Sequence, residues 1–205
     1  MSVVVAIKKD GKIIMGADSQ VTSGGTRVSL SNPNNYKIWK VKGVDNCLMG
    51  HVGNLRDACV TRTITNFVRE IDVLHNDINF EYVVDRIVPM LLDLLKERKY
   101  LKDENLSTME SRFLFAYKDK LFVIGTDTSV IEVDDCVAIG SGESEAIGSL
   151  LTSQDTNDAR LRVIKAIRSS AAHDIYVDYP IILSDTENTE FEVLKEDDLR
   201  EMKII

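Results

Sequence analysis

The chain has 205 residues, of which 33 are acidic and 25 basic, so its formal net charge is -8 at pH 7. This charge disfavours nucleic acids and anionic membranes as partners. We expect no signal peptide and no membrane span, because the N-terminal apolar run covers only residues 3–7. The length suits one domain over residues 1–205. Three cysteines without a Cys-x-x-Cys pair favour a reducing compartment, hence a cytoplasmic protein.

The first predicted element is a β-hairpin that begins and ends near Ser2. Residues 3–7 are apolar and rich in valine, which is typical of a strand buried on both faces. Asp10-Gly11 is a strong signal for a two-residue hairpin turn, and the return strand runs over residues 12–17. Pairing across this turn brings the end of the second strand back to the start of the first. We therefore expect Asp18 to lie near Ser2.

Ser2 combines two reactive groups if Met1 is removed. An ordinary serine hydroxyl needs an adjacent base before it attacks a carbonyl. A free α-amine has a pKa of roughly 7.7 to 8.0, so the amine of Ser2 can act as that base, directly or through one water. A nearby lysine would lower this pKa, and a carboxylate would hold the lysine in place. The N-terminus thus predicts a site that includes one Lys and one Asp.

The next segments supply the lysine and a glycine-containing strand. Residues 21–35 contain two glycines and Pro33, and we predict that they form a loop without regular structure. A strand predicted after this loop includes Lys37. A further strand over residues 47–53 contains Gly50 and Gly53.

The remaining elements predict the layers of an α+β fold. Helical periodicity covers residues 55–71 and 81–99, and Pro89 predicts a kink or a late start in the second helix. Antiparallel strands are predicted within 112–135, helices at 143–152 and 157–172, and a last strand at 179–183 before an acidic tail. Pro180 indicates a strand start or an edge strand. This order predicts a four-layer αββα sandwich with two antiparallel sheets.

Four residues in this order resemble those of a known family. With Ser2, Asp18, Lys37 and Gly50, the chain resembles the proteasome β-subunits and, more closely, the HslV-type peptidases, which are N-terminal-nucleophile hydrolases. Serine stands here where the family has threonine. The resemblance implies that Ser2 is the nucleophile, that Lys37 lowers the pKa of its amine and that Asp18 holds Lys37. It also implies that the backbone N–H of Gly50 stabilises the oxyanion.

Further site residues follow from the same resemblance. Ser141, in a Gly-Ser-Gly turn, matches a serine that hydrogen-bonds near the terminal amine, and Asp174 matches the aspartate that supports this serine. Val21, Leu48 and Val52 would line an apolar pocket for the substrate side chain before the scissile bond.

The resemblance implies a compartmental protease. Its substrates would be peptides or unfolded proteins, and the sites would lie inside a homo-oligomeric ring, hexameric or heptameric and stacked in pairs. It leaves open an ATPase unfoldase as a partner. The chemistry requires no metal or cofactor, although the resemblance leaves room for a structural cation near the last helix.

Two other interpretations remain open. Taken singly, Asp18 could cap a turn and Lys37 could be a solvated charge. The chain as a whole could be an inactive ring subunit or scaffold of the same fold. Retention of Met1 would favour that interpretation. The chain could also be an N-terminal-nucleophile amidohydrolase that acts on a small amide. Only the combination of these residues with Ser2 favours the peptidase.

Overall fold

The computed structural model describes residues 2–29, 32–75, 78–98, 109–188 and 190–202. Its strands are β1 (Val3–Lys9), β2 (Lys12–Ala17), β3 (Gln20–Ser23), β4 (Thr26–Ser29), β5 (Ile38–Lys40), β6 (Cys47–Val52), β7 (Arg112–Tyr117), β8 (Lys120–Ile124), β9 (Val130–Glu132), β10 (Cys136–Gly140), β11 (Ile181–Asp185) and β12 (Glu192–Leu194). Its helices are α1 (Leu55–Thr61), α2 (Glu70–His75), α3 (Phe80–Tyr82), α4 (Val88–Glu97), α5 (Glu143–Thr152), α6 (Ala159–His173) and α7 (Glu196–Glu201).

Two five-stranded antiparallel sheets form the centre of the molecule. One has the strand order β10-β1-β2-β11-β12 and the other β5-β6-β7-β8-β9. Three apolar clusters hold the layers together: one lies between the sheets, one joins α5 and α6 to the first sheet, and one joins α1 to α4 to the second. The predicted αββα sandwich is thereby confirmed. Among the described residues, no helix is long and apolar enough to cross a membrane.

The valine-rich strand β1 lies in the middle of the first sheet, between β10 and β2. Val3, Val5 and Ile7 face α5 and α6, whereas Val4 and Ala6 face the second sheet. All five are 0% exposed. Because successive side chains of a strand point to opposite faces, a strand covered on both faces needs an uninterrupted apolar run. This burial fixes the start of the chain at the centre of the fold.

The predicted loop at residues 21–35 is in part a β-hairpin. Strands β3 and β4 pair with each other across Gly24-Gly25 and form a separate two-stranded sheet. Residue positions 30 and 31 lie outside the described residues, and Pro33–Asn35 forms a short 3₁₀ turn. The expectation of no regular structure was therefore wrong. The two glycines that suggested a loop form the hairpin turn.

The predicted helix at residues 55–71 is divided into α1 and α2. Helix α1 ends at Thr61, and α2 begins only at Glu70. The guanidinium of Arg62 lies 5.0 Å from the centre of the Trp39 ring in a cation–π contact. Trp39 is distant from Arg62 in the sequence, and the contact lies at the C-terminal end of α1. The spacing of apolar residues along a helix gives no information about such a contact.

The second predicted helix matches the structure more closely. Helix α3 passes through a π-helical turn, Val83–Ile87, into α4, whose first turn contains Pro89. Proline has no N–H to donate to the preceding turn, so the regular hydrogen-bond pattern is interrupted there. Of the two predicted outcomes, a kink or a late start, the late start is wrong, because the helical run begins at Phe80 and only its regular α-helical part begins at Val88. Position 99, the predicted helix end, lies outside the described residues.

Three elements near the C-terminal half were not predicted, namely β10, β12 and α7. Strand β10 completes the first sheet beside β1, and β12 makes β11 an interior strand. Pro180 precedes β11, so it marks a strand start rather than an edge strand. The predicted acidic tail thus contains a strand and a helix.

Candidate active site

A buried ion pair lies where β2 ends. The Lys37 Nζ donates to both carboxylate oxygens of Asp18, at 2.7 and 2.8 Å, and to the backbone oxygen of Gln20 at 2.6 Å. Asp18 is 0% exposed and Lys37 only 4%. An ammonium has three donors, and these three bonds account for all of them. The ion pair is therefore held in one geometry.

The carboxylate of Asp18 also binds the backbone on both sides of the site. Its Oδ1 accepts the N–H of Val3 at 2.9 Å, and its Oδ2 accepts the N–H of Gln20 at 3.0 Å. A single oxygen, Oδ1, thus contacts both Lys37 and the residue that follows Ser2. The predicted proximity of Asp18 to Ser2 is present in the structure.

Burial acts on the two charges in opposite directions. Burial raises the pKa of the Asp18 carboxyl, while the charge of Lys37 and the hydrogen bonds oppose that shift. Burial lowers the pKa of Lys37, and the attraction to Asp18 opposes it. Each partner therefore stabilises the charged form of the other, and loss of either would leave a buried charge unpaired.

Ser2 is held by the Gly-Ser-Gly turn that follows β10. The backbone nitrogen of Ser2 donates to the Ser141 Oγ at 3.0 Å. The backbone oxygen of Ser2 lies 3.4 Å from both the Ser141 Oγ and the Gly142 nitrogen. The same nitrogen becomes the α-amine if Met1 is removed. Ser141 is thus in contact with the atom that the sequence assigns as the base.

Gly140 approaches Ser2 so closely that no side chain fits. Its φ is +117°, and a Cβ at this position would lie 2.0 Å from the backbone oxygen of Ser2. Positive φ and this close approach both require glycine. The glycine therefore sets the position of the candidate nucleophile.

We expect Gly140→Ala to abolish peptide turnover and to lower the free energy of unfolding by about 2 kcal/mol or more, because Ser2 must move or the backbone must strain. The matched control is Gly148→Ala in α5, where a Cβ meets open space. That change should leave turnover intact and stabilise the helix by about 0.5–1 kcal/mol. Denaturant unfolding measures the stability of both variants, and a peptide assay measures their turnover. Equal stability and equal turnover of the two variants would contradict the prediction.

Asp174 lies close enough to the site for its charge to raise the pKa of Lys37. Its Oδ1 accepts the N–H of Tyr176 at 2.9 Å, and its buried Oδ2 has no hydrogen-bond partner among the described residues. Support of Ser141 by Asp174 stays a prediction. The turn at Ser141 is held by Ser170, whose Oγ donates to the Gly142 oxygen at 2.7 Å. Ser170 lies within α6, where the sequence offered no signal for this role.

The strand pairing gives the direction of the Gly50 N–H, while its role at an oxyanion stays a prediction. The N–H of His51 bonds to the Lys37 oxygen at 2.9 Å on the β5 side. Successive N–H groups of a strand point to opposite edges, so the N–H of Gly50 points to Leu114 of β7. The glycine is needed for another reason: a Cβ there would lie 2.8 Å from a methyl group of Val4 in the other sheet.

The next glycine along the chain has the required direction. Val52 pairs with Arg112 of β7, so its carbonyl points to β7. In a trans peptide the following N–H points the opposite way, so the N–H of Gly53 points to the edge on which Lys37 lies. The sequence analysis placed Gly53 at the end of the predicted strand and assigned it no role.

The three residues predicted to line a substrate pocket differ in exposure. Leu48 is 0% exposed and belongs to the apolar cluster between the sheets, so its side chain is not accessible to a substrate. Val52 is 5% exposed, and Val21 on β3 is half-buried. A pocket that includes Val21 and Val52 stays a prediction.

Comparison with known proteins adds independent evidence. The model of the proteasome subunit family matches residues 2–184. The chain is 30% identical over 188 residues to the ATP-dependent protease subunit HslV of Borreliella afzelii. The aligned region covers 90% of this chain and 96% of that protein.

Solved structures show the same fold. HslV from Trypanosoma brucei has a TM-score of 0.62 at 20% identity, over 89% of this chain and 98% of that one. Anbu from Yersinia bercovieri has a TM-score of 0.68 at 14% identity, over 98% and 90%.

Proposed function

This chain belongs to the proteasome subunit family, and from that premise we propose that it hydrolyses peptide bonds through Ser2 once Met1 has been removed. The observation that carries the proposal is the buried Asp18 carboxylate, which binds Lys37 at 2.7 Å and the N–H of Val3 at 2.9 Å. A positive charge is thereby held beside the residue that bears the hydroxyl and the amine.

The first half of the proposed reaction forms an acyl-enzyme. The Ser2 Oγ attacks the carbonyl carbon of the scissile bond, and its proton passes to the α-amine of the same residue. The amine then gives this proton to the leaving amine of the substrate, and the C–N bond breaks. The charge of Lys37 lowers the pKa of the α-amine and so keeps it unprotonated near neutral pH. Ser141 orients that amine through the contact at 3.0 Å.

The second half releases the product. Water attacks the ester on Ser2, the amine accepts the proton of the water, and the Oγ is restored. In both halves the negative charge develops on the former carbonyl oxygen. A fixed backbone N–H donor at such an oxygen is worth roughly 10²- to 10³-fold in rate, and the candidates for it are Gly50, which matches the family's glycine, and the neighbouring Gly53.

We extend the proposal to the assembly. An exposed peptidase site would endanger other proteins, and the relative from Borreliella afzelii is a subunit of an ATP-dependent protease. We infer that this chain forms a homo-oligomeric ring, hexameric or heptameric and stacked in pairs, with the sites inside. An ATPase unfoldase would deliver unfolded polypeptides to it.

Intact mass tests the nucleophile. The protein is expressed without a tag and weighed before and after incubation with a peptide epoxyketone, a reagent that closes a ring on the hydroxyl and α-amine of one residue. We expect loss of Met1 and a single adduct that maps to Ser2. Retained Met1 without an adduct would contradict the proposal and favour an inactive ring subunit. In a peptide-library digest, cleavage of a small amide alone would favour the amidohydrolase.

A further inference from the structure

The last turn of α6 contacts the turn that holds Ser2, and the side chain of Ser170 makes this contact. The Ser170 Oγ donates to the Gly142 oxygen at 2.7 Å and lies 3.2 Å from the Ala166 oxygen of its own helix. Ser170 is 0% exposed. A hydroxyl has one proton, and a serine inside a helix commonly gives it to the carbonyl four residues earlier. Here the distance to Gly142 is the shorter one, so the proton is directed to the neighbouring turn.

The helix and the turn approach each other so closely that only small residues fit between them. A Cβ on Gly142 would lie 2.6 Å from the Ser170 Cβ and 3.3 Å from a methyl group of Val177. The oxygen of Gly142 also accepts the N–H of Ala146 at 3.1 Å, in the first turn of α5. The turn is therefore fixed from two sides, by the start of α5 and by the Ser170 hydroxyl.

The same turn contacts Ser2 through two groups. The Ser141 Oγ lies 3.0 Å from the Ser2 nitrogen, which becomes the α-amine once Met1 is removed. The Gly142 nitrogen lies 3.4 Å from the Ser2 oxygen. Because Ser141 and Gly142 are joined by one planar peptide, a shift of Gly142 also moves Ser141. Loss of the bond from Ser170 to Gly142 would therefore displace the hydroxyl that contacts the amine.

We propose that Ser170 is a positioning residue, whose hydroxyl fixes the turn at Gly142 and thereby the position of the Ser141 Oγ beside the α-amine of Ser2. The inference rests on the proposed function, because it assigns a role in the proton transfers of that reaction. Ser170 acts on the reacting atoms through the turn and not directly. Its effect on the rate therefore depends on the presence of the Ser141 hydroxyl.

The test is a double-mutant cycle of Ser170→Ala and Ser141→Ala in the assembled protein. Ser170→Ala removes only the hydroxyl. The Gly142 oxygen keeps the N–H of Ala146, so this carbonyl is not left without a donor. For Ser170→Ala we expect kcat to fall about 10-fold with KM within about twofold, because a misplaced amine slows the proton transfers rather than substrate binding.

The double variant distinguishes the proposed role from a general loss of order. If Ser170 acts through Ser141, its hydroxyl has little effect once Ser141 is replaced, so the double variant should have a kcat within about twofold of that of Ser141→Ala alone. Two residues that act independently would instead multiply their losses. Multiplied losses, or an unchanged kcat in Ser170→Ala beside an active wild type, would overturn the inference.

The matched control is Ser184→Ala in β11, which makes the same chemical change. Ser184 is buried, and its Oγ also donates to a backbone oxygen, that of Glu190, at 2.9 Å. Ser184 pairs with Met15 within β2 and not with the residues of the candidate site. This variant should keep kcat within about twofold of the wild-type value. An equal fall of kcat in Ser170→Ala and in the control would contradict the specific role of Ser170.

An inactive wild type would instead contradict the proposed function, and hydrogen exchange then tests the contact between α6 and the turn. We expect the backbone amides of residues 140–146 to exchange faster in Ser170→Ala than in Ser184→Ala, because the turn opens locally when one of its two supports is lost. Equal exchange in the two variants would show that the Ser170 hydroxyl does not hold the turn, and the inference would then be wrong.

Discussion

Ser2→Ala is expected to abolish peptide hydrolysis while the protein still folds and assembles. The substitution removes only the hydroxyl, and the backbone contacts of Ser2 with Ser141 and Gly142 remain possible. Loss of a nucleophile lowers turnover by roughly 10⁴-fold or more. Turnover of a fluorogenic peptide, particle mass and the unfolding transition measure the three properties separately.

The matched variant is Ser2→Thr, which keeps the hydroxyl and the α-amine. Its additional methyl group restricts the side-chain rotamer, so we expect turnover at least equal to that of the wild type. Intact mass establishes for each variant that Met1 has been removed. Turnover that is unchanged in Ser2→Ala would exclude Ser2 as the nucleophile.

Lys37→Met is expected to abolish turnover and to lower the free energy of unfolding by about 3–5 kcal/mol. The carboxylate of Asp18, which is 0% exposed, would lose its two bonds to the ammonium and remain buried without a counter-charge. Denaturant unfolding and the peptide assay measure the two effects.

The double variant Asp18→Asn with Lys37→Met separates stability from catalysis. Removal of both charges should restore most of the lost stability but none of the turnover, because the charge that lowers the pKa of the amine is still absent. The control is Lys12→Met at the partly exposed ion pair with Asp185, with a distance of 3.0 Å. Asp185 keeps its hydrogen bonds to Glu187 and Asn188, so we expect a loss within about 1 kcal/mol and full turnover. If the double variant is no more stable than Lys37→Met, the unpaired charge of Asp18 is not the cause of the lost stability.

The elements that were predicted correctly depend on local patterns. The apolar run over residues 3–7 predicted a doubly covered strand, and Asp10-Gly11 predicted the turn that returns the chain to Asp18. The helix α5 has the predicted bounds Glu143–Thr152, since its apolar spacing is regular. In these segments the local preference and the final fold agree.

One error concerns the direction of a side chain, which only the pairing of the strands reveals. Leu48 has the apolar character of a pocket residue, yet its strand face turns it into the core. A shift of one residue in the pairing of two strands moves every side chain of a strand to the opposite face of the sheet. The sequence alone does not show which residues of the two strands are paired.

The sequence by itself determined the fold class, the hairpin at the N-terminus and the order of Ser2, Asp18 and Lys37. These follow from periodicity, turn signals and residue chemistry, all of which act over short stretches of chain. The tertiary structure alone decided that Asp18 also binds the N–H groups of Val3 and Gln20, that Ser141 contacts the backbone nitrogen of Ser2, and that Ser170 holds the turn at Gly142. Hydrogen bonds between residues 142 and 170 or 2 and 141 depend on angles set by packing between layers, which no local pattern encodes.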